Sequence, residues 1–356
     1  MLRRLARGAL TALLALSCLG LVLTGVQIVR DPLLRPVIER GKDEIAAAMD
    51  RAMRREATPE HLSAKLRQLL AEQSRNWIAI DAVQDVATER QLTLPADLTQ
   101  EIAAARDQDE GLIAETHACL RCAWDIATCS VSDALICKAP LMLTPIDDIR
   151  GLAKGGADYM TGQEVDQLDV GLSVVGLGAT GLILATGGSS ATIKLGSGVA
   201  KLARGMKLLS PGVVAMGTRA VTRGLDWGAL ATVRSMDDLP RVIRSAEIRP
   251  LVTLTTDFGR VAGATDATTA LHLLRYVDDA PEARRIANAA EALGPKTVGR
   301  MEVLGKGQFL RATLRLSNAT LQLAAAVAGI VLALAGFAGH LGQTFAMRHL
   351  RRLARG

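Results

Sequence analysis

The residues best suited to chemistry are four cysteines within one short stretch, and they are Cys119, Cys122, Cys129 and Cys137. Outside the cytoplasm, four cysteines this close together predict two disulfides, with three possible pairings. A nested pairing, Cys122–Cys129 inside Cys119–Cys137, would staple two antiparallel helices and restrict the unfolded chain. We therefore expect structural disulfides in this region.

The same stretch allows two other chemistries. Cys119-Leu120-Arg121-Cys122 has the CxxC spacing of thiol oxidoreductases. His117 lies two residues before the first cysteine, so a zinc site built from cysteine and histidine is a further alternative. Covalent haem attachment requires a histidine directly after the second cysteine, where Ala123 stands. We expect no metal and no other cofactor.

Two pairs of adjacent aspartates could act as catalytic carboxylates or hold a metal ion. Asp237-Asp238 and Asp278-Asp279 each precede an x-Pro step, in two segments of similar sequence. An aspartate that caps a helix, with proline in the first turn, explains this pattern without catalysis. The chain contains no HExxH, GxSxG or GxxxxGK[ST] motif. We expect no catalytic residue, and an enzymatic activity is left open but not favoured.

The glycine-rich centre of the chain satisfies a nucleotide-binding pattern only in part. Gly176, Gly178 and Gly181 match GxGxxG, but the next acidic residue is Asp226, too far away to bind a ribose. Close helix packing inside an all-α core is one interpretation, and an apolar hairpin that dips into a membrane is the other. The following segment is basic and amphipathic, which is typical of a helix on an anionic membrane surface. The candidate membrane-contact residues are Gly176, Gly178, Gly181, Lys194, Lys201, Arg204 and Lys207.

Residues from about 145 to 215 resemble the pre-toxin TG domain of bacterial polymorphic toxins. The matching features are Asp147-Asp148, Thr161-Gly162 followed by Gln163-Glu164, Leu168-Asp169, an apolar glycine-rich helix and the lysine-rich segment from Lys194 to Lys207. In toxins this module precedes the effector domain. The resemblance implies a compact helical, membrane-compatible module and no catalytic residue.

Helix-capping signals are frequent in the segments that must position these residues. Thr58-Pro59 and Thr144-Pro145 are typical of a helix cap followed by proline in the first turn, and Leu94-Pro95 opens another helix. Apolar residues recur at helical spacing, and no sustained strand-type alternation is present. The sequence therefore predicts an all-α fold.

The two ends of the chain predict membrane spans. Residues 9–28 and 319–339 are uncharged segments of about 20 residues, enough to cross a bilayer as helices. Arginines flank the outer side of each, so the positive-inside rule places both termini in the cytoplasm and residues 29–318 in the periplasm of a bacterium. The expected order is a basic cytoplasmic terminus (1–8), transmembrane helix 1 (9–28), an acidic helical region with the cysteine cluster (29–169), a glycine-rich apolar centre (170–220), a basic helical region with the two-copy repeat (221–318), transmembrane helix 2 (319–339) and a basic cytoplasmic terminus (340–356).

These features favour a structural or interaction role for an integral inner-membrane protein. A net charge of +6 and a pI of about 9.3 can indicate nucleic-acid binding, but much of the excess lies in the arginines beside the spans, so no nucleic-acid partner is expected. The expected partners are the lipid bilayer and a membrane or periplasmic protein, or a second copy of the chain. The predicted role is that of a scaffold, assembly factor or accessory subunit. A membrane-inserting, toxin-related protein and a thiol oxidoreductase that uses the CxxC motif are the alternatives.

Overall fold

Local capping signals set the starts of several helices. Thr58 Oγ1 accepts a hydrogen bond from the backbone N–H of His61 at 3.2 Å, and Pro59 occupies the first turn. Asp279 caps a later helix in the same way, by accepting from the N–H of Glu282 at 2.8 Å. These two helices therefore begin where the sequence offers an acceptor side chain followed by proline.

A computed structural model describes residues 35–72, 75–109, 122, 126–129, 131, 145–186, 190–230 and 238–313. These residues are predominantly helical and include no β-strand, although Leu225 and Ile243 form an isolated antiparallel bridge. The longer helices are α1 (Arg35–Glu56), α2 (Pro59–Leu70), α3 (Trp77–Glu89), α4 (Ala96–Asp109), α5 (Pro145–Met160), α6 (Gln167–Thr186), α7 (Ala191–Gly205), α8 (Pro211–Gly224), α9 (Ser245–Ala264), α10 (Ala267–Leu274), α11 (Ala280–Leu293) and α12 (297–313). The predicted all-α class is confirmed.

Helix α6, which contains most of the apolar glycine-rich segment, lies inside the protein. It packs against α5, α7 and α8, and its side chains at Leu172, Val174 and Leu177 are buried. The neighbouring α7 packs most extensively against α9. Most of the apolar surface of the segment is thus covered by other helices of the same compact unit, Ile45–Leu314, although Leu182 is 51% exposed.

The expected architecture of two transmembrane helices flanking an extracytoplasmic domain is corrected by the structure. No helix among the described residues combines the length and the apolar character needed to cross a membrane. Burial by neighbouring helices accounts for the apolar residues of α6 instead. The inner-membrane location, with both termini cytoplasmic and residues 29–318 periplasmic, is corrected with it. The two segments predicted to span, 9–28 and 319–339, lie outside the described residues.

A buried polar network joins α12 to α2, α3 and α10. Asn76 Oδ1 caps α3 by accepting from the N–H of Ala79 at 3.2 Å, which leaves its amide nitrogen to donate to His272 Nδ1 at 3.0 Å. The other ring nitrogen, Nε2, then donates to Glu302 Oε1 at 2.8 Å. Glu302 also accepts from the hydroxyl of Tyr276. One helix cap therefore fixes the orientation of a buried imidazole.

Glu302 is held ionised in this interior. Burial raises its pKa, but hydrogen bonds from His272, Lys65 and Tyr276 outweigh that effect and lower the pKa from 4.5 to about 2. Because the pKa in the folded protein is depressed, the carboxylate stabilises the fold above pH 4.5, and this contribution is lost as the pH falls towards 2. The difference corresponds to about 3 kcal/mol at neutral pH.

We expect Glu302→Gln to reduce the acid sensitivity of folding. The unmodified protein should lose about 3 kcal/mol more of its free energy of unfolding between pH 5 and pH 2 than the variant does, because the amide does not titrate. Urea denaturation followed by tryptophan fluorescence at several pH values measures this difference. An equal loss in both proteins would contradict the assignment of the acid sensitivity to Glu302.

Candidate functional site

Helices α5, α6 and α7 meet around a buried cluster of charges. Asp148 is 1% exposed and accepts from the ammonium groups of both Lys194 and Lys201, the second at 3.2 Å. Lys201 also forms an ion pair with Asp147 and donates to its backbone carbonyl at 3.2 Å. Burial lowers the pKa of Lys201, but the carboxylates around it outweigh that effect and raise the pKa, so the lysine stays charged.

Glycines bring these helices close enough for the cluster to form. A Cβ at Gly151 of α5 would lie 2.3 Å from Ser173 Oγ of α6, and a Cβ at Gly155 would lie 2.1 Å from Val170 Cγ2. Gly176 makes room for the buried carboxylate itself, since a Cβ there would lie 2.4 Å from one of its oxygens. The first glycine of the GxGxxG match therefore serves packing around a charge.

A cleft of about 460 Å³ opens beside the buried cluster. Among the described residues, its lining consists of Ile126, Asp147, Arg150, Gly151, Lys154, Asp166, Asp169, Lys201, Arg204, Gly205 and Lys207. None of these is a serine, threonine, cysteine or histidine, the usual nucleophiles and general bases of hydrolytic sites. The described lining is instead rich in hydrogen-bond donors.

Some of the lining charges are already paired. Lys154 forms an ion pair with Asp158 at 2.7 Å, and Arg204 forms one with Asp166 at 3.3 Å through Nη2. The Nε of Arg204 is buried and has no hydrogen-bond partner among the described residues. This guanidinium therefore retains a donor that the described part of the protein leaves unsatisfied.

Other lining charges have no partner in the part of the chain that the structure describes, and they are Arg150, Lys207 and Asp169. Lys207 is exposed and has a positive φ of 58° directly after the end of α7. Burial raises the pKa of Asp169, and the carboxylates of Asp166, Asp147 and Asp148 add to this effect, whereas Lys201 opposes it. Asp169 is thus protonated more readily than an ordinary aspartate.

Helix α5 carries an apolar stripe on the side opposite its buried face. Ile146 is 64% exposed, Ile149 is 54% exposed and Met160 is 69% exposed. Residues three, four, seven and fourteen positions apart share one side of a helix, so these three side chains align with exposed Ala153. Arg150 lies next to the stripe, on the side of α5 that faces the cleft.

The candidate membrane-contact residues fall in different environments. Lys194 and Lys201 are buried ion-pair partners, whereas Arg204 is half-buried and Lys207 is exposed. Gly176, Gly178 and Gly181 all lie on α6, and a Cβ at Gly178 would have nothing within 4 Å. The structure therefore brings Lys194 and Lys201, but not Lys207, to the aspartates in the first turn of α5.

Two of the four candidate disulfide cysteines are described. The Sγ atoms of Cys122 and Cys129 lie 2.00 Å apart, at disulfide-bonding distance, and Cys122 is fully buried. Ile126, between them, packs where a Cβ on Gly205 would lie, so this loop contacts the end of α7 beside the cleft. Cys119 and Cys137 lie outside the described residues.

This pairing does not favour a redox CxxC site, because Cys122 is bonded to Cys129. Among the described residues, no group of three or more histidine, cysteine, aspartate or glutamate side chains is placed to hold a metal ion. The suggested zinc ligand His117 lies outside them, as does Asp237. Asp278 forms an ion pair with Lys306 of α12. The described aspartates of the repeat therefore contribute to helix ends and ion pairs.

Sequence reasoning missed Arg150 and Asp169 as site residues. In the sequence, Asp169 is marked only by the resemblance to the pre-toxin TG domain, and Arg150 follows the Asp147-Asp148 pair of the same resemblance. An exposed arginine flanked by isoleucine on one helix is a weak signal by itself. Comparison of the chain with protein-family models, curated proteins and solved structures found no match.

Proposed function

We propose that the protein has an interaction role, as a scaffold, assembly factor or accessory subunit, and that α5 docks an amphipathic helix of a partner protein. The observation that supports the proposal is the exposed apolar stripe of Ile146, Ile149 and Met160. Scattered exposed apolar residues are ordinary, whereas an aligned apolar patch is typical of an interaction surface.

The opposite face of α5 limits how the stripe can be covered. Asp148, Gly151 and Gly155 are buried against α6 and α7, so α5 cannot rotate to hide its isoleucines without breaking buried ion pairs. The ends of the stripe, Ile146 and Met160, are 14 positions apart, which is about 21 Å along the helix. A partner helix of about four turns would cover it.

The charges beside the stripe indicate the chemistry of that helix. Arg150 and Lys154 lie between the apolar stripe and the cleft, and both are exposed. A partner helix with apolar residues on one side and carboxylates next to them would match both features. We therefore assign the surface to an acidic amphipathic helix of another protein.

Site-specific photo-crosslinking in the cells from which the gene comes tests this assignment. A photoreactive phenylalanine analogue at Ile149 should give an adduct that the same residue at Arg219, an exposed position on α8, does not give. The crosslinked peptide should be helical in pattern, apolar on one side and acidic beside it. Met160→Asp and Lys154→Glu should each weaken the adduct at least about fivefold, because they remove the apolar or the charged contact.

Three results would overturn the proposal. One is an adduct at position 149 no stronger than that at position 219. Another is an adduct between two copies of this chain, which would replace the partner protein by self-association. The third is an adduct that Met160→Asp leaves unchanged, because an unaffected adduct does not depend on the stripe.

A further inference from the structure

We infer that the cleft between α5, α6 and α7 is a binding site for the phosphate group of a small molecule. The charged residues of the cleft are of two kinds: those neutralised by ion pairs inside the protein, called the structural set, and those that are not, called the remaining set. In the structural set, Lys201 is neutralised by Asp147 and Asp148 inside the protein. The remaining set of lining groups is free to act on a ligand.

The remaining groups are mainly cationic donors. Arg150 and Lys207 have no ion-pair partner among the described residues, and the Nε of Arg204 is buried without an acceptor. A donor that the fold leaves unsatisfied is costly, and the Arg204 guanidinium that carries it lines the cleft, where an oxyanion can accept from its remaining N–H groups. Planar guanidinium groups bind the oxygens of phosphate in a bidentate manner, so two arginines and a lysine suit this ligand.

Three carboxylates also line the cleft, and carboxylates favour a cation. Two of the three, however, already form ion pairs within the protein. Asp147 is paired with Lys201, and Asp166 is paired with Arg204. Asp169 remains, and burial and the neighbouring carboxylates raise its pKa, which favours the protonated form; a protonated carboxyl donates to an oxyanion instead of repelling it. The balance of the described lining therefore favours an anion.

The size of the cleft indicates a small molecule. Ligand pockets have volumes of about 300–1,000 Å³, and the cleft measures about 460 Å³. A phosphate ion alone would leave room, so the natural ligand is expected to be a phosphate ester. The cleft shares Arg150 and Lys154 with the proposed docking surface but not the apolar stripe, since Ile149 and Met160 do not line the cleft.

Isothermal titration of the purified full chain with inorganic phosphate tests the site. Arg150→Gln and Lys207→Gln should each weaken binding by about five- to tenfold, because each removes a charged donor. Asp169→Asn should instead strengthen binding several-fold, because it keeps the shape and removes the negative charge. Arg219→Gln on α8, which does not line the cleft, is the matched control and should change nothing.

A second readout is independent of the variants' affinities. Binding of phosphate to the unmodified protein should take up more protons than binding to Asp169→Asn, seen as a different dependence of the binding heat on the ionisation enthalpy of the buffer, because the ionisation of phosphate itself is common to both proteins. Glycerol 1-phosphate should bind at least as tightly as inorganic phosphate. Binding of neither compound, weaker binding by folded Asp169→Asn, or binding only to phosphate on lipid vesicles would overturn the inference.

Discussion

Replacing Gly259 by alanine is expected to lower the free energy of unfolding by about 3 kcal/mol. Helices α7 and α9 cross at two glycines that face each other's backbone. A Cβ on Gly259 would lie 1.8 Å from the carbonyl oxygen of Thr192, and one on Gly196 would lie 1.7 Å from that of Thr255. Backbone atoms cannot move aside as a flexible side chain can, so the helices must separate.

The control for this prediction lies on the same helix. Gly263 is exposed, and a Cβ there would have nothing within 4 Å. Gly263→Ala should therefore raise the free energy of unfolding by about 0.5–1 kcal/mol through the helix propensity of alanine. Urea denaturation measures both variants. Similar effects at Gly259 and Gly263 would show that the crossing is not as close as described.

The crossing of α7 and α9 also illustrates the difference between features that local sequence signals predict and features that depend on distant parts of the chain. Proline and acceptor residues act locally, so the start of α2 at Pro59 could be predicted from the sequence. Glycine in an apolar segment has two explanations, close packing and membrane contact, and the segment itself does not distinguish them. The second helix of the crossing, α9, lies about 60 residues further along the chain.

The lysines of α7 show why the site was harder to predict. A lysine has a long apolar stem and a charged end, so the same amphipathic pattern suits a helix on an anionic surface and a helix whose lysines reach a buried carboxylate. Lys194 and Asp148 are 46 residues apart in the sequence. Their contact depends on how α5, α6 and α7 pack, which local patterns do not specify.

The buried ion pairs also give a physical reason for the residues on which the resemblance to the pre-toxin TG domain depends. Asp147-Asp148 and the lysine-rich segment from Lys194 are the two sides of one charge network. The apolar glycine-rich helix lies between them in the sequence and provides space for Asp148 at Gly176. The three features are therefore parts of one buried arrangement in this chain.

We expect Asp148→Asn to lower the free energy of unfolding by about 3–5 kcal/mol, one of the largest effects of a single substitution in this protein. The change is nearly isosteric. Burial raises the pKa of Asp148 despite the two lysines, so the loss comes from the lysines that lose their ion pairs with Asp148 and not from the carboxylate itself. Lys194 is 10% exposed at its side chain and would lose its ion pair with Asp148, while Lys201 would lose one of its two ion pairs and keep that with Asp147.

The control for this prediction is the ion pair between Asp97 and Arg67, because both side chains are more than half exposed. Asp97→Asn should change the free energy of unfolding by less than about 1 kcal/mol, because solvent screens an exposed pair. The decisive measurement is a double-mutant cycle in which Lys194→Met is combined with Asp148→Asn. The double variant should be at least about 1 kcal/mol more stable than the sum of the two single losses implies, because both substitutions remove the same buried ion pair. Strict additivity would mean that the two groups do not depend on each other, and the charge network would then not be what holds α5 to α7.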